Sequence, residues 1–76
     1  MRLGRYLTSL TTPELEELKS LLNLTYDEEE VFDLLKKGSS RESVADHLNV
    51  SPATVGNRIM DIKKKMERLK NMKLLK

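Results

Sequence analysis

The sequence contains no cysteine and no tryptophan, and its only histidine is His47. The absence of cysteine excludes a disulfide framework and fits a reducing compartment. A zinc site would have to combine His47 with several carboxylates, so we expect no metal site. There is also no glycine-rich phosphate loop and no nucleophile–base pair. We therefore expect no cofactor and no enzymatic activity.

Long apolar runs are missing as well. No stretch approaches the roughly 18 apolar residues that a membrane-spanning helix needs. The first ten residues contain two arginines but no apolar block of the length found in a signal peptide. With 76 residues, the chain is expected to form one domain, residues 1–76. We expect a cytoplasmic protein without a membrane partner.

The charge is distributed unevenly along the chain, although the net charge is only +2. Residues 51–76 carry eight basic and two acidic side chains, whereas residues 1–50 carry six basic and ten acidic ones. A concentration of positive charge at one end suits a polyanion, because each neutralised phosphate releases condensed counterions. A solvated, lysine-rich helix would have the same composition, so the charge alone leaves both interpretations open.

The few glycines and prolines separate four predicted helices, and no strand pattern occurs. The first helix is predicted over 13–23, with Thr12 as its N-cap and Pro13 at its first position. The second is predicted over 26–37, where Thr25 and Glu28 have the spacing of a capping box. Gly38 suits the position just after that helix.

A short third helix is predicted over 41–48, capped by Ser39 or by Ser40. It ends at Asn49, a residue that tolerates a left-handed backbone. The fourth helix begins after Ser51 and carries one apolar stripe, spaced by four and three residues: Val55, Ile59, Ile62, Met66 and Leu69. Since nothing interrupts it after Gly56, it could reach Leu75, a length of about 35 Å.

A helix of that length exceeds what a core this small can cover. Its end must fray, pack on the first predicted helix, or pair with a second chain. We expect a homodimer, with six residues as candidates for its seam: Leu15, Leu18, Leu22, Met66, Leu69 and Met72. The alternative is that the first predicted helix folds back on the last one within one chain.

The segment from Ser40 to Ile59 has the pattern of a helix-turn-helix. Two helices meet across a tight turn, with the small residue Ala45 where the backbones approach and Val50 beneath the turn. Val55 and Ile59 would anchor the second helix on the core. The fold expected is all-α, a small helix-turn-helix bundle of four helices with an extra N-terminal helix and a long C-terminal helix.

The stretch from Leu24 to Met66 resembles the DNA-binding domain of LuxR-type (NarL/GerE-like) regulators. The positions that match that family's pattern are Leu24, Thr25, Glu28 or Glu29, Gly38, Ser40, Val44, Ala45, Leu48, Val50, Ser51, Thr54, Val55, Ile62, Lys65 and Met66. The same positions are similar to region four of bacterial sigma factors. The resemblance implies a core over 25–66, with an N-terminal helical extension over 1–24 and a C-terminal one over 67–76.

Two positions depart from the LuxR-type pattern, which usually has lysine at the place of Gly56 and histidine at the place of Arg58. Glycine costs a helix about 1 kcal/mol relative to alanine, and a close approach of the backbone to DNA would explain accepting it. A helix kink or simple drift would explain it equally well.

The apolar stripe of the last helix leaves Ala53, Asn57, Met60, Asp61 and Lys64 on the opposite side. Asn57 is the candidate for reading a base, because its amide can pair with adenine through two hydrogen bonds. Phosphate contacts are expected from basic residues and from residues at helix N-termini. The complete predicted DNA-binding set is Ser40, Arg41, Ala53, Thr54, Gly56, Asn57, Arg58, Met60, Lys63 and Lys64.

These features predict a transcriptional regulator that binds specific sequences in double-stranded DNA. The partners expected are the duplex and a second copy of the chain. The alternative is a sigma-like adaptor that docks on RNA polymerase or another regulator and binds DNA weakly. Strong salt dependence of binding to random duplex would distinguish the first function from the second.

Overall fold

The computed structural model describes residues 3–72, and α-helices are the only regular secondary structure in that range. Its five helices are α1 (Leu3–Thr8), α2 (Thr12–Leu22), α3 (Tyr26–Lys36), α4 (Arg41–Leu48) and α5 (Pro52–Asn71). The predicted all-α helix-turn-helix fold is confirmed. Helix α1 was not among the four predicted segments, whereas α2 to α5 lie within one or two residues of their expected starts.

Side-chain caps set where the helices begin. The Thr25 hydroxyl accepts from the Glu28 N–H and the Glu28 carboxylate accepts from the Thr25 N–H, which confirms the predicted capping box. The cap of α2 is Thr11 rather than the predicted Thr12, because Glu14 closes a second capping box with Thr11. Each box satisfies two backbone donors that the helix leaves unpaired.

The end of α3 decides which serine caps α4. Gly38 has φ 93°, and the Gly38 and Ser39 N–H groups donate to the carbonyls of Leu35 and Leu34. This is a Schellman motif, and it engages Ser39 in the termination of α3. Ser40 is therefore the N-cap of α4 and accepts from the Ser43 N–H at 3.2 Å.

Helix α5 is the centre of the bundle, since it packs against α2, α3 and α4, while α1 packs on α3. The core consists of apolar side chains from all five helices: Leu3, Leu7, Leu18, Leu22, Val31, Phe32, Leu35, Val44, Ala45, Val55, Ile62, Met66 and Leu69. Phe32 is the largest of these that is completely buried. Burying such side chains supplies most of the driving force for folding.

The residues predicted to form a dimer seam are used mainly within one chain. Leu18, Leu22, Met66 and Leu69 are buried in the core, because α2 folds back on α5. Leu15 packs against the same core, and of the six only Met72 is exposed, at 57%. The packing of α2 on α5 within one chain is thus present, and homodimerisation through these residues stays a prediction.

The long last helix runs without interruption from Pro52 to Asn71, with Met72 as its C-cap. Its predicted extension to Leu75 falls outside the described residues. No helix within residues 3–72 combines the length and the apolar character needed to cross a bilayer.

Candidate nucleic-acid interface

The connection between α4 and α5 is a tight turn built on a left-handed asparagine. Asn49 has φ 57°, and the N–H groups of Asn49 and Val50 donate to the carbonyls of Asp46 and Ala45. Ala45 is buried where the helices meet, and Val50 packs on the core beneath the turn. The predicted geometry of a helix-turn-helix is thus present.

Helix α5 divides into a buried side and an exposed side. Val55, Ile62 and Met66 are buried, and Ile59 is partly buried against them. The opposite side holds five exposed residues, as the helical spacing predicted: Ala53, Asn57, Met60, Asp61 and Lys64. The N-terminal half of α5 therefore presents an uncovered polar surface.

The two helix N-termini at this surface are capped by serines. Ser51 caps α5 by accepting from the Thr54 N–H, and its hydroxyl also lies 3.0 Å from the Thr54 hydroxyl. Thr54 is half-buried and already has a partner in the chain. The Ser40 hydroxyl accepts within α4 and keeps its own proton to donate to a ligand.

One flank of α5 is tied to α3 by ion pairs. The Arg58 guanidinium lies 3.1 Å from the Asp27 carboxylate, so this predicted phosphate contact is engaged within the chain. The Lys65 ammonium donates to the Glu28 carboxylate and to the Asn23 carbonyl. The sequence predicted Glu28 as part of a capping box but did not predict either ion pair, since spacing along the chain does not show which distant cations Asp27 and Glu28 meet.

The pKa of Glu28 is lowered from its ordinary value. Burial of the carboxyl opposes ionisation and is the largest single influence, but the hydrogen bond from Lys65 and the capping bonds from Thr25 together outweigh it. The carboxylate of Glu28 thus links the start of α3 to the middle of α5.

The other flank of α5 borders an open groove, which we call the α1–α5 groove. Its walls are α1, the connection from α3 to α4 and the first half of α5. It contains seven of the ten predicted DNA-binding residues: Ser40, Arg41, Ala53, Gly56, Asn57, Met60 and Lys63. Thr54 and Arg58 lie on the opposite flank, and Lys64 is exposed on the outward side. Sequence reasoning missed the α1 residues of the groove, Leu3, Gly4, Arg5 and Thr8.

Among residues 3–72, no group of three or more His, Cys, Asp or Glu side chains is placed to hold a metal ion. His47 is exposed on α4.

Two helices joined by a three-residue turn, with the polar side of the second uncovered, define a helix-turn-helix DNA-binding domain. The family described as bacterial regulatory proteins, luxR family, matches residues 22–74. The chain belongs to this family, which makes it a DNA-binding transcription regulator. No curated protein and no solved structure matches it. The match begins at the end of α2, so α1 lies outside the part of the chain that the family accounts for.

Proposed function

We propose that the protein regulates transcription by binding a specific sequence in double-stranded DNA, with the N-terminal half of α5 in the major groove. The observation that supports this proposal is the exposed side of the N-terminal half of α5. Its first turns offer the small residues Ala53 and Gly56 around the exposed Asn57, whose amide takes part in none of the side-chain hydrogen bonds found within residues 3–72. A major groove admits such a helix and presents base edges to its N-terminal residues.

Cations surround the proposed reading position. Arg41 begins α4 on one side of it, and Lys63 and Lys64 both follow about two turns further along α5. No ion pair within residues 3–72 engages these three side chains. They are free to contact phosphates, which fixes the position of the protein on the duplex without selecting a sequence. Ser40 adds a hydroxyl at the N-terminus of α4, where the helix dipole favours an anion.

Gly56 supports the same placement, because nothing in the chain requires glycine there. Its φ is not in the left-handed region, and a Cβ added to it would meet only Arg41 Nη1, at 3.6 Å, an ordinary contact with a flexible side chain. The space beyond Gly56 opens into the α1–α5 groove. The missing side chain leaves room for the backbone of α5 to approach a duplex closely on this side.

The variant Gly56→Ala is expected to separate stability from binding. The free energy of unfolding should rise by about 0.5–1 kcal/mol, because alanine is the better helix former, while affinity for the selected DNA site should fall. Thermal unfolding and a fluorescence-anisotropy titration measure the two effects. Stability that rises with unchanged DNA affinity would show that the duplex does not approach Gly56.

The main test is Asn57→Ala on a site obtained by selection from a random DNA pool. We expect a loss of about 1–3 kcal/mol in binding free energy, or about fivefold to 150-fold in Kd, with relaxed preference at one base pair. Asn71→Ala is the matched control, because Asn71 is an exposed asparagine at the far end of the same helix. It should leave affinity and preference unchanged.

The same titrations decide between the proposal and its alternative. A Lys64→Ala variant should weaken binding equally on selected and random duplex and reduce the salt dependence, as the loss of a phosphate contact does. The proposal is wrong if Asn57→Ala matches Asn71→Ala in both affinity and base preference. It is also wrong if the wild-type chain captures RNA polymerase but shows no salt-dependent affinity for duplex.

A further inference from the structure

We propose that α1 is a second part of the DNA-binding surface and that Arg5 contacts a backbone phosphate beyond the reach of α5. The inference rests on the proposed function and extends it to a helix outside the family match. It starts from the α1–α5 groove, where α1 forms the wall opposite Asn57 and Lys63.

Helix α1 is held firmly enough for its outer side to have a defined direction. Leu3 and Leu7, four residues apart, are both buried in the core on one side of the helix. Gly4 faces α3, since a Cβ built on it would be in ordinary van der Waals contact with Leu35 Cδ2, at 3.7 Å. The Thr8 hydroxyl donates to the Arg5 carbonyl and helps to close the last turn. Arg5 therefore projects from a packed helix and not from a loose terminus.

The charge of the groove favours a polyanion. Arg5, Arg41 and Lys63 line it, against the single carboxylate of Glu42. None of these three cations takes part in an ion pair within residues 3–72, whereas Arg58 and Lys65 on the opposite flank are paired with α3. Three cations without an ion-pair partner within residues 3–72 thus line the groove together.

The groove and the proposed reading surface are continuous, which identifies the occupant as the phosphate backbone. Asn57 and Met60 belong both to the exposed side of α5 and to the groove lining. A duplex that receives Asn57 in its major groove has a strand bordering that groove on each side. The strand beside α4 would pass Ser40 and Arg41 first and then reach Arg5 on the far wall. Three contacts in a row along one strand would extend the footprint past that of a bare helix-turn-helix.

The test compares Arg5→Ala with Lys70→Ala, a variant of equal charge change at an exposed position on α5 away from the groove. Binding to the selected site and to a random duplex is titrated over a series of salt concentrations. Loss of one phosphate contact should lower the slope of log K against log[salt] by about 0.9 and weaken binding about fivefold to tenfold at 0.1 M salt, equally on both duplexes. Arg5→Lys should retain most of the affinity, and Lys70→Ala should stay close to wild type.

Three results would overturn the assignment. In the first, Arg5→Ala and Lys70→Ala have the same salt slope and the same affinity, while Asn57→Ala still loses affinity. This result rejects the contact by α1 and leaves the proposed function intact. The second is a loss confined to the selected site with an unchanged salt slope, which indicates base contact instead of phosphate contact. The third is a wild-type chain that binds no duplex, which removes the proposed function and this inference together. The thermal unfolding curve of Arg5→Ala should coincide with that of the wild-type protein, since Arg5 contributes nothing to the core.

Discussion

Replacing Leu7 by alanine is expected to lower the free energy of unfolding by about 2–4 kcal/mol, the cost of a cavity at a fully buried leucine. Leu7 is 0% exposed and belongs to the core cluster, although it lies on a helix of only six residues. Domains of this size have a total stability of about 5–15 kcal/mol, so the loss is a large fraction of it. Urea unfolding followed by circular dichroism gives the value directly.

Two further variants test whether the loss of stability comes from the burial of the Leu7 side chain. Leu21→Ala removes the same atoms from a leucine that is 38% exposed on α2 and should cost less than 1 kcal/mol. Leu7→Met conserves volume and should recover most of the loss. Equal destabilisation by Leu7→Ala and Leu21→Ala would mean that α1 does not pack on α3 as described.

The second large effect is expected at Glu28. Its side chain is 9% exposed, accepts from the partly buried Lys65 and closes the capping box of α3. Glu28→Ala removes a cap, leaves Lys65 without its carboxylate partner and should cost about 2–3 kcal/mol, or roughly 10–20 °C in Tm. The exposed capping box at Thr11 supplies the control, since Glu14→Ala removes only a solvent-facing cap there. If Glu14→Ala lowers the free energy of unfolding as much as Glu28→Ala does, the contact between Glu28 and Lys65 adds nothing to stability.

The ion pair also predicts a pH dependence with a definite sign. The folded pKa of Glu28 lies below that of the unfolded chain, so its contribution is complete above about pH 4.3 and is lost as the pH falls through the lower folded value. Glu28→Gln keeps a capping side chain but does not titrate. The stability difference between wild type and Glu28→Gln should therefore be constant from pH 5 to 7 and shrink below about pH 4. A difference that stays constant down to pH 3 would contradict the shifted pKa.

The boundaries of α4 and α5 could be predicted because local chemistry decides them. Ser51 accepts from a backbone N–H of its own first turn, and Asn49 takes the left-handed conformation that ends α4. These contacts join residues a few positions apart, so their pattern is visible in the sequence. The same holds for the side of α5 that bears Asn57, because a helix keeps one apolar stripe facing inward.

Other features depend on contacts between distant residues, which spacing does not reveal. Helix α1 is too short to be stable alone and has no acidic residue in its first turn, so it is helical only because Leu3 and Leu7 are buried. The stripe through Met66 and Leu69 predicted a covered surface but not what covers it, which proved to be α2 of the same chain. Likewise, the pairing of Arg58 with Asp27 joins residues that are far apart in sequence.

The core grips α5 along most of its length, because Val55 and Leu69 near its two ends are buried as well as Ile62 and Met66 in its middle. Three other helices, α2, α3 and α4, contribute to this grip. Tilting the side that bears Asn57 would therefore disturb packing against several helices at once. We infer that this side keeps its orientation when it meets a ligand, so the entropy of arranging it is lost on folding and not on binding.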